Sequence, residues 1–241
     1  MNIKKEFEVY ANSKFGIGTQ EMYEIKNSMT PMVIEEREMR AVSMSVFDRL
    51  MMERVIWCAG PVDDRMSTIV QAQLMFLDSI GTGDITMHID TPGGSVKSGL
   101  GIVDVMDYVK CDIKTINTGM AASMGSVLLG AGTKGKRSSL RFSKTMIHQV
   151  SHGSSGNVQE TRINQLEAEK INYVLFKLLA KYSGNTFNKV LSSASQDNWM
   201  NSSQCLEFGL IDEIIETKDG SSIDDYLGGF DKYYQKQILG K

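Results

Sequence analysis

Ile113-Lys114-Thr115-Ile116-Asn117-Thr118-Gly119-Met120-Ala121-Ala122-Ser123-Met124-Gly125-Ser126-Val127-Leu128-Leu129 combines a strand pattern, a run of small residues and the start of an apolar helix. Alternation over Ile113 to Asn117 predicts a strand, and the apolar residues from Val127 predict the helix behind it. Ser123 then stands at a tight strand-to-helix junction. Its small neighbours keep bulk away from the hydroxyl, and the first N–H groups of a helix lack intrahelical partners, so they can face a developing oxyanion. The residues suit a nucleophile; they equally suit close packing of a helix against its neighbours.

Outward from this junction, strand and helix patterns alternate. Ser45 to Glu53 predicts a short helix, Arg54 to Ala59 a strand, and Arg65 to Ser79 a helix opened by Pro61-Val62-Asp63-Asp64. Ile85 to Asp90 reads as a strand running into Thr91-Pro92-Gly93-Gly94-Ser95, with a helix over Gly101 to Val109. This rhythm predicts an α/β fold with a parallel core and functional loops at the carboxyl ends of its strands. Thr145 to His148 is a further strand, and a long helix follows from Val158 to Tyr182. Its first half carries few apolar residues beyond Ile163 and Leu166, whereas Ile171, Val174, Leu175, Leu178, Leu179 and Tyr182 repeat regularly. Such a helix starts outside the globule and ends packed on it, and a projecting strand-plus-helix arm suits contact with another subunit. Residues 1–30 read as an arm or removable segment, 31–216 as the body, and 217–241 as a Gly-rich amphiphilic tail.

Composition narrows the function classes. The hydrophobic fraction of 41% and charged fraction of 23% are those of an ordinary globular protein. A net charge of −3 gives no basic footprint for nucleic acid. Cys58, Cys111 and Cys205 are far apart and lack metal-ligand spacing, so they read as buried residues in a reducing compartment. The charged start Met1 to Glu8 has no apolar signal core, and no long apolar run predicts a membrane span, so the expected location is the cytoplasm.

Three histidines limit the choice of general base. His148 ends an apolar strand, where its ring reaches a loop site; His152 lies in a polar segment and His88 within a strand. Asp197 is a loop carboxylate suited to fixing an imidazole tautomer, and equally suited to capping the helix that follows. Gly93-Gly94 offers unobstructed N–H groups for an oxyanion, or forms a plain tight turn. Gly130-Ala131-Gly132-Thr133-Lys134-Gly135-Lys136-Arg137 imitates a phosphate loop. It follows a helix rather than a strand, however, and Arg137 replaces the hydroxyl residue that would hold magnesium, so nucleotide binding is not expected.

Several of these segments together resemble one family, the proteolytic subunit of the Clp protease (ClpP). They are Pro31-Met32-Val33-Ile34-Glu35-Glu36, Phe47-Asp48-Arg49-Leu50, Thr91 to Ser95, Gly119 to Gly125, Gly132 to Arg137, Met146-Ile147-His148-Gln149 and Phe208-Gly209-Leu210-Ile211-Asp212. The resemblance implies a ClpP/crotonase-like fold of repeated β-β-α units with a strand-helix handle over about 149–169. It implies a serine endopeptidase with nucleophile Ser123, base His148 and acid Asp197, and with oxyanion donors on the backbone of Gly94 and Met124. Two stacked heptameric rings and an AAA+ unfoldase of the ClpX, ClpA or ClpC type are implied as partners. ATP then serves the unfoldase, and this chain needs no cofactor or metal. Protein substrates, no nucleic acid and no membrane complete the expectation. Two other readings are a catalytically silent subunit of a mixed ring and an acyl-CoA enzyme of the same fold family; the complete Ser-His-Asp set favours the peptidase.

The chain departs from the family in its assembly features. Thr86, His88, Thr118 and Ser138 occupy positions where the unfoldase-docking pocket usually carries apolar or aromatic side chains. Buried aromatic anchors contribute about 2 kcal/mol each, so losing two without compensation weakens a contact by about three orders of magnitude. Val150-Ser151-His152-Gly153 replaces the usual Pro-Leu-Gly-Gly of the handle, and Gln196 stands where an arginine commonly precedes the acid. These changes predict a divergent subunit, of the kind carried by a mobile element or phage, with an atypical unfoldase or none and a salt-sensitive double ring. A propeptide cut near Asn27 to Met29 is also expected.

Overall fold

The computed structural model describes residue 13 and residues 32–37, 40–151, 153 and 156–238. Apart from Ser13, the N-terminal arm with its expected cleavage point lies outside the described residues, as does His152. An antiparallel pair, β1 (Met32–Arg37) and β2 (Arg40–Ser45), leads into α1 (Val46–Met52). Ser45 caps that helix by accepting from the Asp48 N–H.

The body alternates β3 (Val55–Ala59), α2 (Asp64–Ile80), β4 (Ile85–Thr91), α3 (Val96–Tyr108), β5 (Ile113–Ala122) and α4 (Met124–Gly130). There follow β6 (Arg137–Ser139), β7 (Lys144–Ile147), α5 (Val158–Ser183), α6 (Phe187–Ser193), β8 (Asn198–Met200), α7 (Ser202–Phe208) and β9 (Glu213–Ile214). The seven-stranded sheet runs β3-β4-β5-β6-β9 in parallel, as the β-α rhythm predicts. Strand β5 also changes partner along its length: Thr115 to Asn117 pair with β6, and Met120 to Ala122 pair with β7. Its register against β4 shifts between Ile89 and Thr91, where the Met120 N–H donates to the Asp90 carboxylate. The irregularity carries β5 beyond Asn117, where the alternation read from sequence stops.

Helix α4 is buried along its whole length, and Gly125, Ser126 and Gly130 let its neighbours pack close to its backbone. A Cβ on Gly125 would lie 2.6 Å from Thr91 Cγ2, and one on Gly99 of α3 would run into the Met124 side chain. Helix α3 starts at Val96, earlier than the expected Gly101, because Ser95 accepts from the Ser98 N–H and Gly99 is a packing site rather than a breaker. Helix α5 largely follows its sequence pattern: Val158, Ile163 and Leu166 are exposed, while Leu175, Phe176, Leu179 and Tyr182 are buried; Val174, expected on the packed face, is exposed instead. Among the described residues of 149–157 there is no strand; a strand needs a neighbour for its ladder, and none is beside it in the single chain.

The tail is ordered around Arg141. Helices α8 (Ile223–Leu227) and α9 (Phe230–Tyr233) lead to a π-turn at Tyr234–Ile238. The Arg141 guanidinium lies over both the Phe142 and Tyr226 rings, pairs with Asp219 and donates to Ser221, while Ile223 is buried.

Candidate active site

Ser123 occupies the single residue between β5 and α4, with φ 55° and ψ −120°. For a side chain other than glycine this backbone costs about 1–3 kcal/mol and persists only where surrounding contacts impose it. They do so here. The Ser123 N–H donates to Met146 O at 2.9 Å, and its carbonyl accepts from the Ser126 N–H and hydroxyl at 3.0 and 2.7 Å. Packing leaves the opposing loop no room for a side chain: a Cβ on Gly93 would lie 2.6 Å from both Ala122 O and Ser123 Cβ.

Strand pairing delivers the other two groups. Strands β7 and β8 are antiparallel, with Thr145 opposite Met200, Met146 opposite Trp199 and Ile147 opposite Asn198. Continued one step, the register sets His148 opposite Asp197. Directly opposed residues share a face of the pair. The Ser123 hydroxyl and His148 Nε2 are 2.8 Å apart, and His148 Nδ1 is 3.1 Å from Asp197 Oδ1. The His148 side chain is 22% exposed and that of Asp197 62%. Asp197 caps no helix; Asn201 takes that role for α7 through a reciprocal pair with Gln204.

The glycine loop approaches from β4. Gly93 and Gly94 have φ 90° and 153°, and a parallel bridge between Gly94 and Val62 holds the loop in place. The Gly93 carbonyl accepts from the Val62 N–H at 2.9 Å, and the Gly93 N–H donates to Thr91 Oγ1 at 3.1 Å. Neither the Gly94 nor the Met124 N–H donates to another described residue. The Met124 N–H follows Ser123 directly, and the loop holding Gly94 packs against Ser123 through Gly93, an arrangement suited to general-base-assisted attack on a carbonyl with stabilisation of the resulting oxyanion.

Strand register sets the four expected docking residues near one another: His88 pairs with Ile116 and Ile116 with Ser138, so these share a sheet face. Thr86, His88 and Thr118 are partly exposed, whereas Ser138 is buried and its hydroxyl donates to Thr115 O. The pocket is also less depleted of aromatic groups than the sequence suggests. Trp57, opposite His88 in register, stacks on it at 4.6 Å, and Phe47 meets Trp57 edge-on at 6.3 Å. Burial holds the His88 ring below the ordinary histidine pKa. A signal was present in Trp57 and Phe47 themselves; strand register sets Trp57 on a face with His88, and the packing of α1 brings Phe47 to Trp57.

The glycine-rich decoy is a structural turn. The Thr133 N–H donates to Ile113 O, and a Cβ on Gly132 would meet Thr115. Arg137, at its end, is 1% exposed and makes a double ion-paired contact with Asp212.

Comparison with known proteins gives a consistent result. The sequence pattern of the Clp protease family matches residues 36–218. An ATP-dependent Clp protease proteolytic subunit from Bacteroides fragilis is 41% identical over 218 residues, covering 88% of this chain and 99% of that protein. Its namesake from Porphyromonas gingivalis is 42% identical over 216 residues, with 88% and 97% covered. The Streptococcus pneumoniae protein of the same name is 45% identical over 191 residues, 78% of this chain and 97% of its own length.

Proposed function

The chain belongs to the Clp protease family, and from that premise we propose that it is a proteolytic subunit whose serine peptidase chemistry runs through Ser123, His148 and Asp197. The observation that carries this reading is the hydrogen-bonded series from the Ser123 hydroxyl through both nitrogens of His148 to Asp197. His148 Nε2 takes the hydroxyl proton as Ser123 Oγ attacks the scissile carbonyl. The Gly94 and Met124 N–H groups receive the oxyanion, while Asp197 holds the tautomer and balances the imidazolium charge. His148 then gives its proton to the leaving amine, which departs as the acyl-enzyme forms. Water, deprotonated by the same imidazole, releases the acyl group and restores the serine.

The wider reading follows from the family. Subunits assemble as two stacked heptameric rings, with α5 and the segment before it joining them, and an AAA+ unfoldase spends ATP to deliver unfolded proteins. No cofactor takes part in the steps above. The outer face carrying Thr86, His88 and Thr118 around Trp57 is the docking surface for that unfoldase, and the cytoplasm is the site of action. No helix among the described residues is long and apolar enough to cross a membrane.

Labelling with a fluorophosphonate probe tests the core of this reading. The wild-type protein takes up the probe and cleaves a short fluorogenic peptide, and Ser123→Ala loses both. Labelling that survives Ser123→Ala sinks the assignment. Particle size by analytical ultracentrifugation across a salt series tests the rings, and cleavage of a folded tagged protein with a Clp-type unfoldase tests the docking face.

A further inference from the structure

Asp197 is well exposed, and the short stretch Ser195 to Asp197 that presents it is exposed as well, running from Ala194, buried in the core, to β8. Within the loop, the Ser195 hydroxyl donates to Ser192 O and the Ala194 N–H to Val190 O, both local contacts. Besides His148 itself, the side chain reaching the loop from β7 is that of Gln149, whose Nε2 donates to Ser195 O at 3.1 Å. The far side of Gln149 is fixed as well: the Val150 N–H donates to Asn172 Oδ1 on α5 at 3.1 Å. The strand extension that carries His148 and Gln149 is therefore pinned to the long helix, and between the anchors Ala194 and Asn198 the Ser195 carbonyl is tied to it through Gln149.

We propose that Gln149 is a positioning residue for the peptidase reaction, a strut that keeps Asp197 facing His148. The inference rests on the peptidase reading above. It follows from which side is free to move. With the strut cut, the strand end stays on α5, and the Ser195-to-Asp197 loop swings. The size of the effect is bounded by one exposed neutral hydrogen bond, whose net contribution corresponds to about a three- to tenfold change in the aligned population. That is far less than removing the carboxylate, which in a comparable triad costs on the order of 10⁴-fold.

The test is a double-mutant cycle on the assembled full-length protein, read with a short fluorogenic peptide. Gln149→Met keeps the side chain's length and removes its donor. The expected result is a kcat about three- to tenfold lower with KM unchanged, the split expected of a group that acts only through the alignment of the triad. In an Asp197→Ala background the same change costs less than about twofold, since the group it positions is gone. Gln149→Lys, which restores a donor of similar reach, recovers kcat to within about twofold of wild type. Wild-type kcat in Gln149→Met, or an equal loss in both backgrounds, overturns the proposal. Should the wild-type protein neither cleave peptide nor take up fluorophosphonate, the peptidase reading falls instead. The strut is then decided by the crystal structure of Gln149→Met: Asp197 displaced from His148 supports it, and an intact contact overturns it.

Discussion

Ser123 holds its hydroxyl in place with a backbone angle that few side chains tolerate, and Gly93 makes the approach of the opposing loop possible. Both features bear on substitution. Gly93→Ala places a carbon 2.6 Å from Ala122 O and Ser123 Cβ at a φ of 90°, so the loop must move. Peptide hydrolysis is then expected to fall by at least about 10²-fold, the scale of losing an oxyanion donor, with soluble protein still recovered; kcat measured on purified variant checks it. Asp197→Asn is expected to lower kcat by on the order of 10⁴-fold while leaving the melting temperature within a degree or two, because the exposed side chain carries little of the fold. Calorimetry beside kinetics separates the two effects. These residues were legible in sequence because serine, histidine and paired glycines announce their chemistry locally. Gln149 was not, since its partner is a main-chain carbonyl at Ser195 that only the pairing of β7 with β8 brings near.

At the scale of elements, one buried arginine joins three helix ends. Arg137 donates to Gly130 O at the end of α4, Tyr182 O in the last turn of α5 and Gly209 O just past α7, and clasps Asp212 with two nitrogens. A cation among helix carboxyl ends meets their partial negative charge, and here it also satisfies carbonyls that lack intrahelical donors. Arg137→Ala removes that donor from the three carbonyls and leaves Asp212 with Lys134 and the backbone N–H groups of residues 135 and 137, and it is expected to destabilise the fold by about 3 kcal/mol, measurable by urea unfolding. Burial alone would raise the pKa of Asp212, but hydrogen bonds from Arg137 and Lys134 outweigh it and hold the carboxyl well below the usual range. A carboxyl depressed in the folded state contributes stability above its unfolded pKa and loses it as pH falls toward the folded value. Stability should therefore decline below about pH 5, and Asp212→Asn should flatten that decline while lowering stability at neutral pH. In the sequence Arg137 closed one of the segments that carry the family resemblance and spoiled a phosphate-loop match, with nothing to show what it bonds. Its partners are scattered over the chain, and no local pattern reports them.

The whole molecule was legible in outline, since alternating strand and helix patterns gave the parallel sheet and the packed half of α5, whereas short strands such as β6 and β9 carry too few residues to show a period. The tail lies beyond the family match, yet it is tied down by Arg141 between Phe142 and Tyr226 and by buried Ile223. Removing residues 219–241 is expected to lower the melting temperature by about 5 °C, given about 2 kcal/mol for those contacts, with peptide kcat preserved; calorimetry and kinetics on the truncated chain check it. Burial also governs the thiols: it pushes Cys58 up to about 12 and Cys205 up to about 11, and raises Cys111 with help from Asp78. Ellman's reagent at pH 8 should find no fast-reacting thiol in the native protein and three after guanidinium unfolding, and alkylating agents should spare peptidase activity. The pairing of β7 with β8 has one more consequence, in time rather than space. Asp197 lies four fifths of the way along the chain and meets His148 only when that late strand docks. A growing polypeptide that already displays Ser123 and His148 has no oriented base, so hydrolytic power arrives at the end of synthesis, after most of the chain has left the ribosome.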